Sequence, residues 1–213
     1  SSLDDANVDY VSGNTFIETP RLFDKIYALT DPGFPLQTRN RTGLLETNLI
    51  MANSFLLRRS KAPDPLFPRI NAYRGHCGIA SQNLIRSGAK LYKQHDAIAE
   101  HPSQESYRDY LARAYAEGCD AIALSRYNNR QTMRGKINRS FLGTGIRLVR
   151  GIWGLARRTV TKRHTVGLPL WGVPVAIAVG LTYFAARFVG ETAMLINTKL
   201  ALRFSIAKQV AER

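Results

Sequence analysis

The longest apolar run of the chain lies near its C-terminal end. Residues 165–186 contain no charged side chain, and basic residues flank them on both sides. About 20 helical residues cross a hydrocarbon layer roughly 30 Å thick. Trp171 and Tyr183 lie near the two ends of the run, where aromatic rings favour a membrane interface. The pattern predicts a transmembrane helix over residues 165–187. The alternative is the buried core helix of a soluble domain.

Small residues recur on one side of this predicted helix. Gly172, Ala176 and Gly180 are four residues apart, which places them on one helical face. Small residues at this spacing let two helix backbones approach closely in a membrane. We therefore expect this face to pack against a partner helix.

The chain continues after the apolar run as an amphipathic tail over residues 188–213. Arg187 and Glu191 are four residues apart at the start of this tail, so that they can form an ion pair on one helical face. The tail is expected either to extend the predicted transmembrane helix or to lie on a partner protein or on the membrane surface.

A basic amphipathic segment precedes the apolar run. Residues 141–164 place apolar and basic side chains at helical spacing. A basic amphipathic helix with aromatic residues suits the plane of an anionic membrane surface. We expect a bound cardiolipin or other phospholipid here, with its head group near these residues: Arg147, Arg150, Trp153, Arg157, Arg158, Lys162 and Arg163.

The first 140 residues predict a small, irregular helical region behind an extended arm. Residues 1–43 are rich in turn-forming types and predict the arm, with one short helix over residues 22–29. Within residues 44–140, apolar spacing predicts a helix over 43–59 and another over 78–99. No segment as long as a strand shows alternating apolar and polar residues. The predicted fold class is therefore mostly α with one C-terminal transmembrane helix.

Two further features complete this region. Three prolines within residues 62–68 exclude a helix there and predict a linker. A third helix is expected to begin shortly after Pro102, with Tyr107, Tyr110 and Ala114 on its apolar face.

The positive charge is concentrated in one part of the chain. The net charge is +14, and residues 121–165 contain 11 basic residues and no acidic one. Such a stretch needs an anionic partner: phospholipid, nucleic acid or acidic protein. Its position beside the apolar run favours a membrane, and no RNA-binding module is evident. Basic residues are denser before the run than after it, which predicts that the N-terminal part faces the matrix or a bacterial cytoplasm.

Candidate catalytic and metal-binding residues are few. His76 and Cys77 are adjacent, but neighbouring residues point apart and no orienting acid can be assigned. The two histidines His95 and His101 complete no zinc-binding pattern with the cysteines. We predict no catalytic, cofactor-binding or metal-ligating residue, no nucleic-acid partner and no small-molecule substrate. Cys77 and Cys119 form either one disulfide or two free thiols.

The first residues are acidic and lack methionine, which is typical of a chain whose presequence has been removed. The whole layout resembles accessory subunits of mitochondrial inner-membrane complexes such as ATP synthase or the respiratory complexes. This resemblance implies a non-catalytic structural subunit that braces its neighbours and binds anionic lipid. A basic RNA-associated organellar protein and a soluble helical domain are the two alternatives.

Overall fold

The structure, a computed structural model, describes residues 8–17, 19–30, 43–47, 55–57, 60, 76–101, 104–128 and 133–204. These residues form two compact units. The first unit contains the strands and α2, and the second contains the other helices. The elements are, in chain order, β1 (Tyr10–Ile17), α1 (Leu22–Thr30), β2 (Leu44–Glu46), β3 (Phe55–Leu57), α2 (His76–Arg86), β4 (Leu91–His101), α3 (Tyr107–Asn128), α4 (Met133–Asn138), α5 (Phe141–Lys162), α6 (Gly172–Ile196) and α7 (Thr198–Arg203).

The first unit is a four-stranded sheet with the strand order β2-β4-β1-β3. The central strands β1 and β4 are parallel, and the outer strands β3 and β2 pair antiparallel with them. Apolar side chains of β1, α2 and β4 form its core, namely Tyr10, Ala80, Leu84, Ala89 and Leu91.

The sheet corrects two helix predictions. The segment 43–59 contains the short strands β2 and β3, and its residues 48–54 and 58–59 lie outside the described part. The segment 78–99 begins with most of α2, where the helix prediction is confirmed, and continues with a turn at Gly88, whose φ of +80° suits glycine, and then β4. Apolar spacing alone cannot identify these strands, because their backbone hydrogen bonds come from partners distant in the chain.

The predicted arm over residues 1–43 also differs from the structure. Its residues 10–17 are β1, a central strand of the sheet. The short helix predicted over residues 22–29 is confirmed as α1. The proline-rich segment 62–68 lies outside the described residues.

The described residues are mostly helical, which confirms the mostly α fold class, and the elements of the second unit are all helices. The predicted third helix is α3, and Ser106 caps it by accepting a hydrogen bond from the Asp109 N–H at 3.1 Å. The predicted basic helix is α5, which begins after Ser140, whose side chain accepts a hydrogen bond from the Gly143 N–H.

The apolar helix α6 begins later and ends later than the sequence predicts. Residues 163–171 form a turn in which Gly167 has a φ of +66°, and Pro169 disfavours a helical residue before it. Helix α6 therefore starts at Gly172, with Pro174 in its first turn, where proline is tolerated. It continues to Ile196, so that the first residues of the predicted tail belong to the same helix.

Candidate membrane-facing site

Helix α5 runs antiparallel beside α6, and glycine allows the close approach. A Cβ added to Gly180 would lie 2.3 Å from Leu155 Cδ2, and one added to Gly151 would lie 2.3 Å from the Phe184 ring. Residues later in α5 therefore contact residues earlier in α6, as expected for antiparallel helices. A helix in the plane of the membrane would cross a spanning helix instead, so the in-plane prediction for α5 conflicts with α6 as the spanning helix.

The small residues that the sequence assigns to helix packing are buried within this chain. Gly172, Ala176 and Gly180 all lie on the inner face of α6. A Cβ on Gly172 would meet Leu168 at 2.8 Å, and Gly180 faces Leu155 of α5. The helix that packs on Gly180 is thus part of the same polypeptide.

Helix α3 packs on another side of α6 through two further glycines. A Cβ on Gly118 would lie 2.1 Å from the Arg187 carbonyl oxygen, and one on Gly190 would lie 2.1 Å from the Tyr115 carbonyl oxygen. Each glycine thus faces the backbone of the opposite helix, so that the two backbones are in direct contact. Farther along, Arg126 donates hydrogen bonds to the Met194 carbonyl and to Thr198.

A buried ion pair joins α5 to α6. Glu191 is 2% exposed, and its Oε2 accepts from Arg147 Nε at 2.7 Å and lies 2.6 Å from Arg147 Nη2. Arg187 Nε lies 3.5 Å from Glu191 Oε1, which confirms the predicted ion pair four residues apart. Arg147 also donates to the Asn138 carbonyl and to Thr144. Arg147 was not predicted as a partner of Glu191, although a single acid in an apolar helix that follows an acid-free basic helix indicates such a pair.

A second polar contact is formed between α3 and α6 near aromatic rings. The Tyr183 hydroxyl donates to Glu117, which also pairs with Arg113 at 3.2 Å. The Arg113 guanidinium lies 5.2 Å from the centre of the Tyr27 ring. Tyr110 lies between these groups, in contact with the Tyr27 and Tyr183 rings. These contacts give the Tyr183 hydroxyl and the Glu117 carboxylate polar partners between α3 and α6.

The outer face of α6 contains no charged residue. Within Gly172–Ile196, the charged residues are Arg187 and Glu191, and both belong to the ion-paired cluster with Arg147. Only 28% of the most apolar 18-residue window of α6 is buried. The outward side chains are apolar apart from one threonine: Pro174, Val175, Ala178, Leu181, Thr182, Ala185, Val189 and Ile196.

Helix α5 also turns an apolar face outward. Its buried residues are Gly143, Thr144, Leu155 and Thr159. Large apolar side chains point away from them, and Trp153 is 72% exposed. Within the described part of the chain, no other element therefore packs over the more apolar side of this helix.

The residues predicted to bind lipid head groups fall into three groups. Arg147 is held by Glu191, and Arg158 donates to the Ala28 carbonyl at 3.2 Å. Arg163 is half-buried, next to the turn before α6. The remaining members are exposed on α5, namely Arg150, Trp153, Arg157 and Lys162.

Possible metal and thiol chemistry is limited in the described residues. Within them, no group of three or more His, Cys, Asp or Glu side chains is placed to hold a metal ion. Cys77 and Cys119 are free thiols, which settles the alternative of a disulfide between them. Cys77 lies on α2 in the first unit, and Cys119 is buried on α3 against the Gly190 carbonyl.

The two cysteines are expected to differ strongly in reactivity. Burial raises the pKa of the Cys119 thiol to about 12, and the nearby Asp120 carboxylate adds to the effect. At pH 8 only about one thiol in 10,000 would then be the reactive thiolate. A short N-ethylmaleimide pulse on the folded protein should therefore label Cys77 and leave Cys119 unmodified, as read by peptide mass spectrometry.

The control for this labelling is the same pulse in denaturant, which should modify both cysteines. Equal labelling of Cys77 and Cys119 in the folded protein would contradict the close packing of α3 on α6.

No protein-family model, curated protein or solved structure matches this chain.

Proposed function

We propose that the protein is a non-catalytic structural subunit anchored in a membrane by α6. The observation that carries the proposal is the uncharged outer face of α6, combined with the inward position of its only two charged residues. A soluble protein with this helix would bury the apolar side and expose the charges. In a membrane, ionisable residues face the interior of a bundle, as Glu191 does here.

The length of α6 also supports the proposal. Its 25 residues correspond to about 37 Å of helix, which exceeds a hydrocarbon layer of about 30 Å. Lipid would cover one side of the helix, while α3 and α5 cover the other sides. Leu170 and Trp171 are exposed just before the helix starts, a position that suits the membrane interface.

The finer proposal is an accessory subunit of a mitochondrial inner-membrane complex, such as ATP synthase or a respiratory complex, with the turn over residues 163–171, directly before α6, on the matrix side. Its support is the layout of the chain: an acid-free basic helix, one apolar helix and a separate small unit. Purification in mild detergent, with mass spectrometry of the accompanying proteins, tests it. Recovery as a monomer without detergent would refute it.

A charge on the outer face of α6 separates this proposal from a soluble fold. Ala185 is exposed near the middle of the helix. Arginine at the centre of a spanning helix costs about 2.5–3.5 kcal/mol of insertion free energy. On a water-exposed surface, the same change alters stability by less than about 0.5 kcal/mol. We therefore expect Ala185→Arg to shift much of the protein from the membrane pellet to the supernatant after alkaline carbonate extraction.

The matched control is Ala185→Leu, which keeps the site apolar and should remain in the pellet like the unmodified protein. A wild-type Ala185 protein that is released by carbonate, or an Ala185→Arg variant that stays fully integrated, would count against α6 as the anchor.

A further inference from the structure

The exposed face of α5 has a regular seven-residue pattern. Its apolar side chains lie alternately three and four residues apart, which is the spacing of the a and d positions in a coiled coil. Five of the six are exposed, and Ala156 is half-buried. We call them the heptad stripe: Leu142, Ile146, Val149, Trp153, Ala156 and Val160.

Two arginines follow one edge of the heptad stripe. Arg150 and Arg157 are seven residues apart, each at the e position of its heptad, and both are exposed. The other edge contains Gly145 and Ile152 and is uncharged. Side chains at e positions meet charged residues of the partner helix, so this edge is complementary to carboxylates.

The depth of these arginines favours a protein partner over lipid, and this step rests on the proposed function. Gly151 contacts Phe184 and Leu155 contacts Gly180, so Arg150 lies alongside the middle of α6 and Arg157 lies between the middle and the start of that helix. If α6 spans the membrane, both guanidinium groups lie at the depth of the hydrocarbon. Charged groups at that depth pair with other polar groups instead of facing lipid tails.

A second copy of this chain is a poor partner for the same stripe. Helix α5 contains no acidic residue, so two copies would bring arginines against each other. A lipid surface also fits poorly, because surface-lying helices place cations along the whole polar face, whereas the exposed arginines here follow one edge.

We propose that the heptad stripe of α5 docks an amphipathic helix of a neighbouring protein, which presents carboxylates to Arg150 and Arg157. The partner helix has apolar residues in the same heptad spacing and places its acidic residues about seven apart along one edge. This contact fixes the neighbour beside α5 and gives the bracing role a defined surface.

A zero-length crosslink tests the carboxylate partners directly. The variants Arg150→Lys and Arg157→Lys keep the positive charge and supply an amine, which a water-soluble carbodiimide couples to a carboxylate in direct contact. Because both positions lie at the depth of the hydrocarbon, an apolar, membrane-permeant carbodiimide (dicyclohexylcarbodiimide) is used beside the water-soluble one. In native membranes we expect an amide crosslink from each lysine to an Asp or Glu of one partner helix, identified by mass spectrometry. The control Arg108→Lys, exposed on α3 away from the stripe, should not give that crosslink.

A photo-crosslinker at Val149 tests the apolar part of the surface. A benzophenone side chain there should react with the same partner helix. Reaction with phospholipid only, reaction with a second copy of the chain, or no adduct in intact membranes would each overturn the proposal. The double variant Arg150→Glu/Arg157→Glu should lower the adduct yield at least tenfold, while the matched double variant Arg108→Glu/Lys136→Glu should leave it unchanged.

The two proposals fail in different ways. Release of the unmodified protein by alkaline carbonate refutes the membrane anchor, whatever the crosslinks show. Retention in the membrane without any carboxylate crosslink at either lysine refutes the docking helix alone.

Discussion

Replacing Arg147 with alanine is expected to lower the free energy of unfolding by about 3 kcal/mol. The change leaves Glu191, which is 2% exposed, with the longer contact to Arg187 as its remaining ion pair. It also removes the donors to the Asn138 carbonyl and Thr144. A buried carboxylate that loses its main partner keeps its desolvation cost without the compensating attraction. Chemical unfolding in mild detergent, followed by circular dichroism, measures the loss.

The matched control is Arg150→Ala, three residues away on the exposed side of α5, which should change stability by less than about 0.5 kcal/mol. A double variant, Arg147→Met/Glu191→Leu, should recover most of the stability, because a well-packed apolar pair often replaces a buried ion pair at little cost. Equal stability of the Arg147→Ala and Arg150→Ala proteins would show that the ion pair is not buried between α5 and α6.

The second large effect is expected at the contact of α3 with α6. In Gly190→Ala, the new methyl group would lie 2.1 Å from the Tyr115 carbonyl oxygen and 3.3 Å from the Cys119 nitrogen. Both atoms belong to the backbone of α3, so no side-chain rotation relieves the clash and the helices must separate. We expect a loss of about 3 kcal/mol in the free energy of unfolding, at the upper end for overpacking. Maleimide labelling of Cys119 should rise at the same time.

A glycine-to-alanine substitution at an open position should instead raise the free energy of unfolding. A Cβ on Gly154 of α5 meets nothing within 4 Å. Gly154→Ala should therefore stabilise the protein by up to about 0.8 kcal/mol through helix propensity. If Gly190→Ala matched Gly154→Ala in stability, the close approach of α3 and α6 would be wrong.

The sequence alone predicts four helices of the second unit, α1, α3, α5 and α6, because their signals are local. The charge-free length of α6 and the regular apolar spacing of α5 need no knowledge of distant residues. The ion pair of Arg187 with Glu191 is local as well, one turn apart on one helix. The start of α6 is less certain from sequence, since Gly167 and Pro169 lie inside the apolar run and only the backbone shows that they form a turn.

The sheet of the first unit is not predictable in this way. Tyr10 pairs with Leu91 and with Leu57, both far away in the chain. Three-residue strands such as β2 and β3 have too little sequence for a period of two to appear, and their pairing depends on the whole sheet.

The sequence by itself determined that α5 and α6 are helices, that the positive charge precedes the apolar helix and that small residues line one side of it. Only the tertiary structure decided which faces turn inward. Gly151 of α5 faces Phe184 of α6, and Gly180 of α6 faces Leu155 of α5, so the glycine faces are buried and most large apolar side chains of α5 point outward. It also joined Arg147 to Glu191, 44 residues apart. Helical period fixes which residues share a face, but only packing against neighbouring helices selects the face that is buried.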